Sequence, residues 1–174
     1  MRVYIPATLP MLAELVADDC LQPRSGTAFA VTPTLRESYA EGNEEELAEV
    51  AIGEAARASL RLLSALADNA GPSAATAAPL RRAVLVADAS AGTATPRPDL
   101  DDAVVRLSGP VSLDRVAAVY VDNAAAEPAV RAAIAVIDQA DLGDEDAELT
   151  VGDAQDHDLA WYATQELPFL LELL

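Results

Sequence analysis

The sequence predicts an α/β (α+β) fold, a mixed sheet with helices packed on it, and three observations carry that prediction. First, Val116, Val119, Tyr120 and Val121 form a short apolar run rich in β-branched residues that stops at Asp122-Asn123, as a buried strand does. Second, the chain then passes into a helix pattern. Glu127-Pro128 suit a first turn, and Val130, Ile134 and Ile137 fall on one face. Third, other segments repeat this strand-then-helix alternation, as helices packed on a sheet require.

In chain order, Arg2 to Ile5 reads as a strand closed by Pro6. Thr8 caps a helix in which Leu9, Leu12, Leu15 and Val16 keep helical spacing and which stops before Asp18-Asp19. Pro23-Arg-Ser-Gly26 is loop chemistry, and Thr27 to Thr32 alternates as a strand should. Thr32-Pro33 opens a short helix through Tyr39, ended by Gly42.

From Asn43 two readings stand. Asn43 with Glu46 resembles a capping box, and Glu44, Glu45 and Glu46 suit the positive end of a helix dipole, which predicts one helix from Glu44 to Leu66. Gly53 would cost that helix about 1 kcal/mol relative to alanine. The other reading makes Leu47 to Ile52 a strand and starts the helix at Glu54. It is favoured slightly because alternation on either side becomes regular, and it would give the first half the order of a ferredoxin-like sandwich with one inserted helix.

Asp68 to Pro79, rich in Ala, Gly, Ser and Pro, reads as a flexible loop within a single domain spanning residues 1–174. Ala83 to Ala87 is a fully buried strand ending in Asp88. Ser90 to Asp102 is a second loop, near 90–102, and Val104 to Leu107 a further strand. After the central strand and helix, Glu148 to Val151 and Leu159 to Ala163 read as two short strands joined by a polar loop around Asp156-His-Asp158. Thr164 is placed to cap a last apolar helix.

Charge narrows the partners. All 11 basic residues are arginine, against 29 acids, for a formal net charge of −18. A surface this negative repels phosphate, which argues against nucleic-acid and anionic-membrane binding. The last arginine is Arg131; the 43 residues after it (174 − 131) hold eleven acids and no Lys or Arg. The preferred reading of this charge is solubility rather than a dedicated basic partner, and a protein partner, if there is one, is unknown. One cysteine, Cys20, excludes an internal disulfide and a cysteine-based zinc site. No apolar run reaches the roughly 20 residues a membrane span needs, and the N-terminus is too polar and short for a signal peptide. The expected location is cytoplasmic.

The chemical motifs are few. There is no GxGxxG and no GxxxxGK[ST], and the turn after Asp122 has no glycine, so a nucleotide loop is excluded and no cofactor is assigned. The acids at 138–158 are dense enough to ligate a hard cation, but their spacing matches no EF-hand, and Asp156-His157-Asp158 supplies too few ligands for zinc. Neither a metal site nor a catalytic residue is assigned. Asp88 and Asp122 each end an apolar strand, where sheet proteins place their sites, and as neighbours they would perturb each other's protonation. Trp161 and Tyr162 are consecutive in a strand and so face opposite sides, one toward the core. The binding candidates are Asp88, Asp122, His157, Tyr162 and Glu166.

Four segments, Met1-Arg-Val-Tyr-Ile-Pro-Ala-Thr8, Gly26-Thr-Ala-Phe-Ala-Val-Thr-Pro33, Asp141-Leu-Gly-Asp-Glu-Asp146 and Asp156-His-Asp-Leu-Ala-Trp-Tyr-Ala-Thr-Gln-Glu166, together resemble an uncharacterised family of actinobacterial cytoplasmic proteins of unknown function. The resemblance spans nearly the whole chain and agrees with the arginine and alanine usage. It implies no activity, cofactor or catalytic residue. The functional expectation is a non-enzymatic binding or interaction module. The alternative is a small enzyme using paired carboxylates at strand ends, with or without a divalent cation.

Overall fold

The computed structural model describes residues 1–70 and 79–174. Its elements, in order, are β1 (Arg2–Ala7), α1 (Leu9–Asp18), β2 (Cys20–Leu21), β3 (Thr27–Phe29), α2 (Pro33–Ser38), α3 (Glu44–Ala70), β4 (Ala83–Asp88), β5 (Ala94–Pro96), β6 (Val104–Leu107), β7 (Val111–Ser112), β8 (Val116–Val121), α4 (Glu127–Asp141), α5 (Glu145–Gln155), β9 (Ala160–Ala163) and α6 (Leu167–Leu173). This is a mixed alpha/beta fold on a seven-stranded sheet of order β5-β6-β3-β1-β4-β8-β9. β2 and β7 form a separate two-stranded ribbon, which carries the exposed Cys20.

β1 sits mid-sheet between β3 and β4, which is why Val3 to Ala7 are all buried. Its alternation divides the core. Val3, Ile5 and Ala7 point with Leu85 and Val119 toward α1 and α6; Tyr4 points with Val84, Val86 and Ala118 toward α3. Beyond the sheet, Leu60 and Leu63 of α3 meet α4 and α5 through Val130, Ile134, Ile137 and Val151.

The caps follow the hydrogen-bonding chemistry. The Thr8 hydroxyl accepts from Met11 N at 3.3 Å, Thr32 from Leu35 N at 3.1 Å, and the Asn43 side chain from Glu46 N at 2.9 Å. Thr164 does otherwise. Its hydroxyl donates to the Val116 carbonyl, and α6 starts three residues later, at Leu167. Ser59, wholly buried on α3, joins two layers: its Oγ donates to Ala7 O (2.7 Å) and accepts from Ala83 N (3.1 Å), closing the end of the β1–β4 ladder.

Several expectations change. Leu47 to Ile52 is helix, not strand. The Asn43 cap and the acidic first turn start α3 at Glu44, and the helix runs unbroken through Gly53. The ferredoxin-like order, which needed that strand, goes with it. Glu148 to Val151 is also helix: Asp144 caps α5 by accepting from Ala147 N at 2.9 Å, and Ala147, Val151 and Ala154 form its narrow buried face. The sheet is antiparallel at every pairing among the described residues rather than mixed. β8 and β9 show why. Two helices, α4 and α5, joined by a tight turn at Leu142-Gly143-Asp144, carry the chain out and back, so β9 returns against β8 instead of crossing over parallel to it. Finally, the loop near 90–102 contains β5, paired to β6. Of the loop placed at 68–79, residues 68–70 belong to α3 and residues 71–78 lie outside the described residues.

Candidate functional site

Strand register builds a groove on the α3 side of the sheet. One row across the strands reads Phe29, Tyr4, Val86, Ala118, Ala163, and the next reads Pro6, Val84, Tyr120, Trp161. Ala118 and Ala163 are direct cross-strand partners, so two small side chains form a trough beside the Tyr120–Trp161 pair. α3 packs over β3, β1 and β4, covering the other half of this face. Tyr120 is left half-buried and Trp161 57 % exposed. The cleft between this surface and α3 holds ≈ 320 Å³, with Glu45, Ala48, Glu49 and Ile52 as its helical wall. It continues past Glu49 and Tyr120 into a cleft of ≈ 500 Å³ bordered by His157 and Asp158.

The electrostatics of the groove are one-sided. Arg2, at its mouth, is bound by Asp88 through Nε–Oδ1 (3.1 Å) and Nη2–Oδ2 (3.2 Å). Glu45, Glu49 and Asp158 form no ion pair among the described residues. The groove thus offers aromatic faces beside unneutralised carboxylates, an arrangement that attracts cations both through charge and through the ring quadrupole.

One end is held by a buried ion pair. Arg82, 1 % exposed, precedes β4, and Asp122, fully buried, follows β8. The Asp122 carboxylate accepts from Arg82 N (2.8 Å), Nε (2.9 Å) and Nη2 (2.7 Å). Arg82 also donates to Gln155 Oε1 and to the His157 carbonyl, each at 2.8 Å, while Gln155 donates to the Gly53 carbonyl at 3.0 Å. The sheet, α3, the end of α5 and the His157 loop are thereby fixed to one another.

Residues 1–171 match the model of a Family of unknown function (DUF6912). The chain belongs to this family. No curated protein and no solved structure matches it.

In this DUF6912 protein the candidate residues do not converge. Asp88 and Asp122 lie at opposite ends of β4, because β8 runs antiparallel to it and Asp122 therefore meets Arg82. The strand from Arg82, beside Asp122, to Asp88 is six residue steps long, roughly 20 Å. Asp88 is exposed and paired with Arg2, whose hydrogen bond holds its carboxyl below the usual range. It borders a separate cleft of ≈ 320 Å³ with Ser90, Ser108 and Arg115. His157 is half-buried and borders the groove, and its carbonyl is part of the Arg82 cluster. Tyr162 packs with the α1 side of the core, leaving Trp161 as the groove residue. Glu166 is exposed just before α6.

Within 138–158, several acids have structural partners. Arg57 and Arg61 of α3 bind Asp141, Arg57 also binds Glu148 at 2.7 Å, and Asp144 caps α5. The Arg61 hydrogen bond foremost lowers the Asp141 pKa, and the Arg57 hydrogen bond that of Glu148. No helix among the described residues is long and apolar enough to cross a membrane. Sequence reasoning missed Tyr4, Tyr120 and Glu49 as site residues. They come from distant segments: the register of β1, β4 and β8 sets Tyr4 and Tyr120 on one face, and the packing of α3 over that face brings Glu49 to them.

Proposed function

We propose that this protein is a non-enzymatic binding module, a single domain of the actinobacterial cytoplasm, that docks a basic segment of a partner protein in the groove between α3 and β8–β9. The supporting observation is the groove itself, where Trp161 and Tyr120 lie beside Glu45, Glu49 and Asp158, none of them in an ion pair among the described residues. A lysine or arginine side chain lying on those rings gains a cation–π contact and a carboxylate together. The paired-carboxylate enzyme loses its geometric basis with Asp88 and Asp122 at opposite strand ends. Nucleic acid is disfavoured as a ligand by the charge of −18.

Trp161 is the sole tryptophan and stands in the groove, so its emission reports occupancy. Titration with a short peptide alternating arginine and valine should shift that emission. Replacing Glu45 and Glu49 together with glutamine should weaken the binding by roughly 2- to 30-fold, as two exposed charge contacts imply. Unchanged emission, or equal affinity of the double variant, would refute the assignment.

A further inference from the structure

We infer that the basic segment binds by strand addition, pairing its backbone with the free edge of β9 to become an eighth strand of the sheet. This rests on the groove reading above and adds how the partner is held. β9 is the last strand of the sheet and pairs only with β8. Among the described residues, no backbone hydrogen bond from a turn, loop or cap reaches Ala160 to Tyr162, and Ala163 leads into the 3-10 turn at Thr164–Glu166.

The two edges of the sheet differ in kind. Proteins guard open edges with proline, charge or irregularity, because unpaired N–H and C=O groups recruit other strands. β5, the opposite edge, ends in Pro96 and runs into Arg97, Pro98 and Asp99. β9 is Ala-Trp-Tyr-Ala, with neither proline nor charge. The unguarded edge is the one bordering the groove. An added strand alternates its side chains across the sheet, so every second residue would lie next to Trp161 on the acidic, aromatic face. Backbone pairing would supply affinity, and that alternate set of arginines or lysines the selectivity.

Charge selects a foreign basic strand over a second copy of this chain. Two copies meeting edge to edge would bring together the acids that flank β9, namely Asp156, Asp158 and Glu166, from segments with no Lys or Arg after Arg131. Like charges brought together in this way oppose the pairing.

The test compares the arginine–valine peptide with the same peptide N-methylated at alternate residues, which keeps charge and side chains but blocks one hydrogen-bonding edge. Binding is read by Trp161 emission, amide hydrogen exchange across β9, and sedimentation of the free protein. The expected result is slowed exchange at β9 amides with the first peptide and binding at least about tenfold weaker with the second. Equal binding of both peptides overturns strand addition and leaves groove docking intact. Binding of neither overturns the groove reading, and this inference with it. A dimer of the free protein abolished by Trp161→Glu would assign the edge to a second copy and overturn the inference.

Discussion

Replacing Asp122 with alanine should be among the most damaging single changes to this protein. The carboxylate accepts three hydrogen bonds from Arg82 and is fully buried; the Arg82 side chain is 2 % exposed. Removing it leaves a guanidinium out of water with only Gln155 and the His157 carbonyl as acceptors. Breaking a buried ion pair from one side costs about 3–5 kcal/mol, a large share of the roughly 5–15 kcal/mol that holds a domain of this kind. Removing both charges differs: Arg82→Met with Asp122→Leu leaves no unpaired ion, and the double variant should recover much of the loss. Asp88→Asn, at an exposed pair, should cost no more than about 1 kcal/mol. Urea denaturation of the parent and these three variants supplies the comparison. If Asp122→Ala lay within about 1 kcal/mol of the parent, or if the double variant were less stable than that single one, the account of Arg82–Asp122 as a structural clamp would be wrong.

Two further outcomes follow from the helices. Gly53→Ala should stabilise the protein by about 0.5–1 kcal/mol in thermal melts, because Gly53 lies inside α3 and a Cβ there meets nothing within 4 Å; destabilisation would mean that the Gly53 carbonyl's bond to Gln155 depends on the bare backbone. The hold of Arg57 and Arg61 on Asp141 and Glu148 should be pH-dependent. Both carboxyls are depressed below their ordinary values, so this contribution is present above the ordinary carboxylate range and is lost as pH falls through the depressed values. Glu54 works in the opposite sense, since burial foremost raises its pKa and its contribution is lost as pH rises. Protection of the α4 and α5 amides, measured relative to the intrinsic exchange rate at each pH, should therefore fall on acidification, and Arg57→Met should flatten that dependence.

Local chemistry made the ends of elements legible in the sequence and left their partners obscure. Thr8, Thr32 and Asn43 cap the helices their spacing announces, and the apolar runs at Val84 and Val119 are the buried strands they resemble. Sequence and structure part where regular strand–helix alternation competes with local signals. The Asn43 cap and three glutamates favour one helix, and a single Gly53 costs a helix of this length about 1 kcal/mol without breaking it. α5 was obscured because its buried face is only Ala147, Val151 and Ala154; Leu149, 71 % exposed, set against Val151 imitates a strand's alternation.

The groove was less legible still, since Tyr4, Tyr120 and Trp161 meet through pairings between distant segments that no local pattern encodes. The acidic bias of the last 43 residues, visible from composition, gains a physical role once β9 is seen to be an edge strand. An uncharged edge carrying an exposed tryptophan invites self-association. Nearby carboxylates oppose pairing between identical acidic chains, yet the same field draws a basic strand toward that edge. On the proposed reading, the charge that keeps β9 unpaired in the free protein also selects what pairs with it.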